Sequence, residues 1–319
     1  MKTLLRLFTI FSLFLIAIPS HSEVKGKKIL YVDSYHEGYA WSDGITNGIR
    51  RTLEGTGVDL KVMRMNTKRK ADEASIKAVV AEVKQAIDTD KPDLVIVSDD
   101  NATKHILSST YKNAKLPFVF CGVNWDASIY GLPYDNATGM EEVDGVKELL
   151  DLLKQMAKGT RVAMLSDDTE TSHSNAKNYH DKLGISLIPV YVKTFAEWQQ
   201  KFAELQSTAD ILLIQNVSGI MDFDSKIAQE YVLGHAKIPS GAVQIDMMPY
   251  AMVGYLKVAE EQGVWSTKAA LEILNGKSPK AIPITQNKEG QIYVNFKVAS
   301  ATGLEVPYTI VEVASQVMQ

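Results

Sequence analysis

The chain has 319 residues, 45% of them hydrophobic and 23% charged, with a formal net charge of −4. That length suits two domains of ordinary size, and the mildly acidic balance without a basic run excludes a nucleic-acid partner. A single cysteine, Cys121, excludes an internal disulfide and a cysteine-based metal site.

The chain opens with Lys2 and Arg6, an apolar run from Leu7 to Ile18, then Pro19 and the small residues Ser20 and Ser22. This pattern predicts a secretory signal peptide over 1–22, cut before Glu23. The apolar run is about 12 residues, short of the roughly 20 that span a bilayer. No cysteine near the cut offers a lipid-attachment site. The mature protein is therefore expected in the periplasm.

Apolar strand-like runs follow at "KILYVDS" (28–34), "DLKVMRM" (59–65), "DLVIVSD" (93–99) and "PFVFCGV" (117–123). Helix-period faces lie between them: Trp41, Ile45, Ile49 and Leu53, then Ile76, Val79, Val80, Val83 and Ile87, with Asp72 as a start signal. A helix from about Asp144 to Met156 opens a second set of strands at 161–167, 186–192, 210–216 and 241–247. Helices are expected around Ser174–Leu183, Phe195–Leu205 and Asp222–Leu233. In the tail, "MVGYLKVAEEQ" and "STKAALEILNG" read as helical, "AIPITQ", "QIYVNFK" and "YTIVEVA" as strands, and "NKEGQ" as a hairpin turn. Continuous apolar strands with helical crossovers imply parallel sheets covered on both faces, an α/β fold of two Rossmann-like lobes. The lobes are expected at 23–141 plus about 247–280, and 142–246 plus about 281–319. The crossings near 140 and 247 look short and structured.

In open parallel sheets, ligands sit outside the carboxyl ends of the strands. Those ends read "SYHEGYAW" (34–41), "SDDNA" (98–102), "CGVN" (121–124), "SDDTETS" (166–172), "QNVSG" (215–219) and "DMMPY" (246–250). Aromatic, amide and carboxylate groups there are suited to orienting a small polar ligand. Tyr35, Tyr39 and Trp41 are stacking candidates, although Trp41 also fits the buried start of its helix. Asp99, Asp100, Asp167 and Asp246 are candidates for an ammonium group. His36, Asn101, Asn124, Thr138, Gln215 and Asn216 are candidates for polar contacts. The competing role for any of these is a loop or helix cap; Asp43, Asp168 and Asp222 are read as caps.

Catalytic and cofactor signatures do not support an enzyme. "NGKSP" (275–279) contains Gly-Lys-Ser, but it follows a helix rather than a strand, unlike a phosphate loop. No GxGxxG, GxSxG or zinc-ligand spacing occurs. No cofactor is expected.

The C-terminal stretch resembles the closing segment of bacterial ABC-transporter substrate-binding proteins: Leu274, Gly276, Pro279, Ile282, Pro283, Asn295, Ala299, Gly303 and Leu304 match its pattern. The N-terminal set "SYHEGYAWSDGI", "MNTKRK", "VSDDNA" and "FCGVN" resembles a branch of that family also found as sensing domains of membrane signalling proteins. It departs from that branch at Glu37 and Ala40, where proline is frequent. The resemblance implies a type I periplasmic-binding-protein fold, two lobes joined by three crossings around a ligand cleft, with some relatives binding aromatic amino acids. It implies a monomer that traps a small-molecule ligand and presents it to an ABC permease, or reports it to a membrane sensor protein such as a histidine kinase or cyclase.

Overall fold

The computed structural model describes residues 24–319; the predicted signal peptide lies outside them. Among the described residues no helix is long and apolar enough to cross a membrane.

The first lobe is built on β1 (Lys28–Asp33), α1 (Ala40–Leu53), β2 (Asp59–Arg64), α2 (Glu73–Asp90), β3 (Leu94–Ser98), the single turn α3 (Asp99–Ala102), β4 (Phe118–Asn124) and β5 (Ala137–Glu142). The second takes α4 (Val146–Leu153), β6 (Val162–Asp167), α5 (Glu170–Asp181), β7 (Ile188–Val192), α6 (Phe195–Thr208), β8 (Ile211–Ile214), α7 (Ser225–His235), β9 (Ser240–Ala242) and β10 (Val253–Lys257). The chain then returns to the first lobe with α8 (Ala259–Leu274) and β11 (Thr285–Gln286). It ends on the second with β12 (Gly290–Asn295), α9 (Phe296–Thr302), α10 (Tyr308–Glu312) and β13 (Gln316–Met318).

The two sheets run β11-β5-β4-β3-β1-β2 and β13-β12-β10-β9-β8-β6-β7. All pairings are parallel except β10 with β12. The central strands β3, β6 and β8 are buried along their whole length, as expected for sheets covered on both faces. In the second lobe Trp198, Phe202, Phe195, Phe223 and Tyr250 form an aromatic cluster under the sheet. In the first, α1 and α8 touch backbone to backbone. A Cβ on Gly263 would lie 2.1 Å from the carbonyl oxygen of Ile45, so only glycine permits this approach.

The helix boundaries follow local chemistry. Asp72 accepts the Ser75 amide at the start of α2, as predicted. Thr194 and Glu197 form a reciprocal capping box on α6. Two predicted caps are corrected: Asp224 rather than Asp222 caps α7, and Thr169 rather than Asp168 caps α5. Asp43 sits in the first turn of α1 and accepts the Gly38 amide.

The tail differs most from expectation. "MVGYLK" is strand β10, and one helix, α8, joins the remaining "AEEQ" to "STKAALEIL". "YTIVEVA" opens as helix α10, started by Pro307. "NKEGQ" is no hairpin, because β11 belongs to the first sheet and β12 to the second. It is the third crossing. The second crossing falls at Val258, not near 247, since β10 is a central strand of the second sheet.

Side chains stitch the three crossings together. The Val143 amide donates to Asn287 Oδ1 (2.7 Å), and Asn287 Nδ2 returns to the Val143 carbonyl (3.1 Å). Glu261, just past the second crossing, accepts the amides of Lys288 and Glu289 in the third. The Lys257 ammonium lies between Glu142 Oε1 (2.5 Å) and Asp144 Oδ1 (2.8 Å), joining the second crossing to the first.

Candidate functional site

Asp99 is the first residue beyond β3 and has a left-handed backbone, φ 66°, which Asp tolerates better than most residues. Gly122 lies opposite, at a register shift in β4. A Cβ there would sit 3.1 Å from Asp99 Oδ1, so the glycine makes room for the carboxyl. Trp41 Nε1 donates to Asp99 Oδ1 (3.0 Å). The other oxygen, Oδ2, is buried with no hydrogen-bond partner. Burial pushes the Asp99 carboxyl well above the usual carboxylate range, and Glu142 and Asp33 push it further.

Around this carboxyl stand groups from both lobes and the crossings. The Lys257 ammonium is 5.7 Å from the Trp41 ring centre. Burial alone would lower its pKa, but Glu142 and Asp144 outweigh that and hold it above the usual lysine range. Burial likewise raises Glu142, with Lys257 offsetting part of the effect. Asp144 also accepts the Tyr179 hydroxyl from α5 (2.8 Å). Beside Tyr179 is the Gln215 amide, whose two polar atoms are buried without a partner. Trp125 packs edge-on against Tyr179 at 5.6 Å, so a first-lobe indole meets a second-lobe phenol. Next to it Lys182 bridges to Asp126 (2.6 Å), a second contact between lobes.

The structure divides the sequence-predicted residues clearly. Trp41, Asp99 and Gln215 come to this cluster. Tyr35 is half-buried, 5.4 Å edge-on from Tyr39, and burial, Asp99 and Asp100 raise its hydroxyl pKa, so it remains a proton donor. The Lys68 ammonium sits over both rings, at 4.4 and 4.6 Å. Asp100 accepts from Asn124 Nδ2 (2.6 Å) and the Tyr130 hydroxyl (2.8 Å), and Asn101 donates to Thr67 (3.0 Å).

The remaining residues serve other ends. Thr138 is a correction: its hydroxyl donates to the Ile282 carbonyl (2.7 Å) inside the first lobe, bracing the Ile-Pro step of the C-terminal pattern. Asp167 is buried and occupied by Gly219 N (2.7 Å), Thr169 Oγ1 (2.9 Å) and Ser172 Oγ, so it organises its own lobe's loops. Asn216 accepts the Ser218 amide locally. His36 is turned to the Glu37 carbonyl (2.9 Å). Asp246 is exposed in the 3₁₀ turn Ile245–Tyr250. Sequence reading did not find Glu142, Asp144, Lys257, Trp125 or Tyr179. Glu142 and Lys257 end β5 and β10, strands whose composition hid them.

Two open concavities of about 470 and 480 Å³ lie elsewhere, along the edge strand β7. Exposed side chains such as Lys177, His180 and Lys193 line them. They hold none of the buried, unpartnered atoms that mark the hinge cluster. Among the described residues no group of acidic, histidine or cysteine side chains is arranged for a metal ion.

The family profile described as "ABC transporter substrate binding protein" matches residues 37–318. The chain belongs to this family. A curated "Tyrosine-binding protein" of Clostridioides difficile is 22% identical over 181 residues. That match covers 54% of this chain and about half (51%) of the relative. Among solved structures, the ligand-free, open form of a substrate binding protein with adhesive properties from Clostridium difficile superposes with a TM-score of 0.69 at 22% identity. It covers 92% of this chain and 99% of that one. An ABC domain in complex with L-Trp from Streptococcus pneumonia gives 0.58 at 19% identity, covering 92% and 99%. These likenesses establish the type I periplasmic-binding-protein fold for a substrate-binding protein of the ABC-transporter family.

Proposed function

We propose that the protein takes a small organic ligand bearing a protonated amine and an aromatic ring into the cleft between its lobes and presents it to an ABC permease at the cell envelope. The mature chain works in the periplasm after loss of its signal segment. The observation that carries this reading is Asp99 Oδ2, an unpartnered buried carboxyl oxygen beside an indole, at the carboxyl end of a central strand. Leaving such an oxygen unpaired costs about 1–3 kcal/mol, a cost that a ligand ammonium would reverse. The idle Gln215 amide supplies the corresponding polar contact from the second lobe. The names of the similar proteins, one tyrosine-binding and one bound to L-Trp, support an amine joined to a ring.

Closure follows from differential affinity. Moving a two-state population from 1:99 to 99:1 takes roughly 5.5 kcal/mol. Two or three charge-assisted hydrogen bonds at about 1.5–3 kcal/mol each reach it. The Asn287, Glu261 and Lys257 ties hold the crossings together, so the lobes move as bodies about one short axis. The role is binding without turnover. Thermal-shift screening of the purified protein against aromatic amino acids and amines tests it, followed by X-ray scattering with the best binder. A raised melting midpoint with a smaller radius of gyration and chemically unchanged ligand is expected. Midpoints unmoved across the panel would sink the reading.

A further inference from the structure

An amino acid has a carboxylate as well as an amine, and the anion-binding places at the strand ends of both lobes are already filled by the protein's own carboxyl groups. At the strand ends of the first lobe, Asp33 accepts the Tyr35 amide (3.1 Å) and the Ser42 hydroxyl (2.8 Å) and pairs with the Arg64 guanidinium. Arg64 also faces Asp43 at 3.7 Å. In the second lobe Asp167 holds Gly219 N, Thr169 Oγ1 and Ser172 Oγ. Each lobe thus fills its own anion-binding place with a buried carboxyl group. Other strand-end amides are also committed: Gly122 N to Gln262, Ala102 N to the Ser34 hydroxyl, Asp167 N to the Asn216 carbonyl.

The buried cation is committed, and the exposed one stands over the outer rings. Lys257 is held between Glu142 and Asp144, and Lys68 is exposed against the rings of Tyr35 and Tyr39. Asp99 has a vacant oxygen and Gln215 a vacant amide. Asp100 and Glu142 stand close enough to Tyr35 to raise its pKa. A ligand carboxylate entering here would face Asp99, Asp100 and Glu142 around Tyr35, and that like charge is unfavourable in a water-poor site.

We propose that the cleft selects an organic cation, a primary amine attached to an aromatic ring and lacking a carboxylate, over the zwitterionic amino acid of the same skeleton. This rests on the reading that the cleft binds a solute. Asp99 takes the ammonium, Trp41 and Tyr35 take the ring, and Gln215 contacts a polar substituent. The neighbouring acids discriminate against a carboxylate.

The test uses ligand pairs that differ by the carboxylate alone, tyramine with L-tyrosine and tryptamine with L-tryptophan, plus 3-phenylpropanoate, an acid without an amine. Titration calorimetry on the purified protein at pH 7.5 gives the dissociation constants. The amine of each pair is expected to bind at least tenfold tighter than its amino acid, with no heat from the acid. Asp99→Asn, a residue that also tolerates the left-handed backbone, should weaken amine binding at least tenfold with an unchanged circular-dichroism spectrum. Should that variant fail to fold, the ligand pairs decide the matter on the unaltered protein. Amino acids binding as tightly as their amines would overturn the charge selection and leave the solute-binding reading standing. Silence from amines and amino acids alike would overturn both.

Discussion

Replacing Lys257 by methionine isolates the ionic tie between the first two crossings. Methionine preserves most of the aliphatic stem and removes the ammonium. Asp144 would retain the Tyr179 hydroxyl, whereas the side chain of Glu142 would lose its hydrogen-bond donor. Breaking a buried pair from one side costs about 3–5 kcal/mol, because the remaining charge is stranded. The Lys257 side chain is 19% exposed and Glu142 10%, so partial water access favours the lower end, about 3 kcal/mol. At about 2–4 °C per kcal/mol for domains of roughly 150–250 residues, the midpoint falls by about 6–12 °C. The loss has a pH signature. Burial raises the folded-state pKa of Glu142 even with Lys257 present, so the native state holds that proton more tightly than the unfolded chain does. Without Lys257 the hold strengthens. The deficit is therefore largest at neutral pH and shrinks as pH falls through the raised Glu142 value. Scanning calorimetry from pH 4 to 8 measures it, and Glu142→Gln in the Lys257→Met background should restore at least half the loss at pH 7.5. A deficit independent of pH, or no rescue by the second substitution, would refute the account.

Three further outcomes are expected. Amine affinity should rise with pH, by up to about tenfold per unit while Asp99 begins protonated, because a bound ammonium favours the ionised carboxylate and expels its proton. The groups that set this are Asp33, Tyr31, Tyr35, Asp100, Cys121, Glu142 and Lys257, with the Trp41 indole donating to the carboxyl; calorimetry in buffers of different ionisation heat should show proton release. Thr138→Ala should lower the midpoint by the equivalent of about 1–3 kcal/mol, leaving the Ile282 carbonyl unpaired, with ligand affinity unchanged in titration. Asp126→Asn should weaken the bridge to Lys182 by no more than about 1 kcal/mol, since both ends are about a third exposed. The hydrogen bond from Lys182 lowers Asp126 to about 2, so the native bridge persists above the ordinary carboxylate range and is lost as pH falls through that value. Scattering in acid should show the lobes separating in the native protein.

The first-lobe strands were legible because they are continuous apolar runs bounded by helical periodicity. β5 was not, since "ATGMEE" carries a glycine and two acids in six residues and reads as a connection. β10 was missed because "VGYLK" passes into α8 across one residue, with no turn signal to end it. Those two omissions cost the site its ionic centre, as Glu142 and Lys257 are their last residues. In "YTIVEVA", β-branched content favoured a strand, but Pro307 and packing gave a helix. Gly290 did mark a change of direction; local turn chemistry carries no information about which sheet the next strand joins. At the strand ends, residue type located Asp99, Trp41 and Gln215. It could not separate them from Asp167 or Thr138, whose hydrogen bonds depend on residues such as Gly219 and Ile282, far along the chain.

The return of α8 to the first lobe after a whole second lobe has been laid down bears on how the molecule assembles. A cut just before α4 leaves every element of the second lobe in the C-terminal piece, whereas the N-terminal piece lacks α8 and β11 of the first. While the chain is being made, the groove on α1 shaped around Gly263 stays uncovered until the last fifth emerges. Early collapse is thus denied its main helix partner, and the nascent protein is obliged to wait. An N-terminal fragment cut at the 140s should remain unfolded alone and recover only when the remainder is added, since its helix partner α8 is on the other piece.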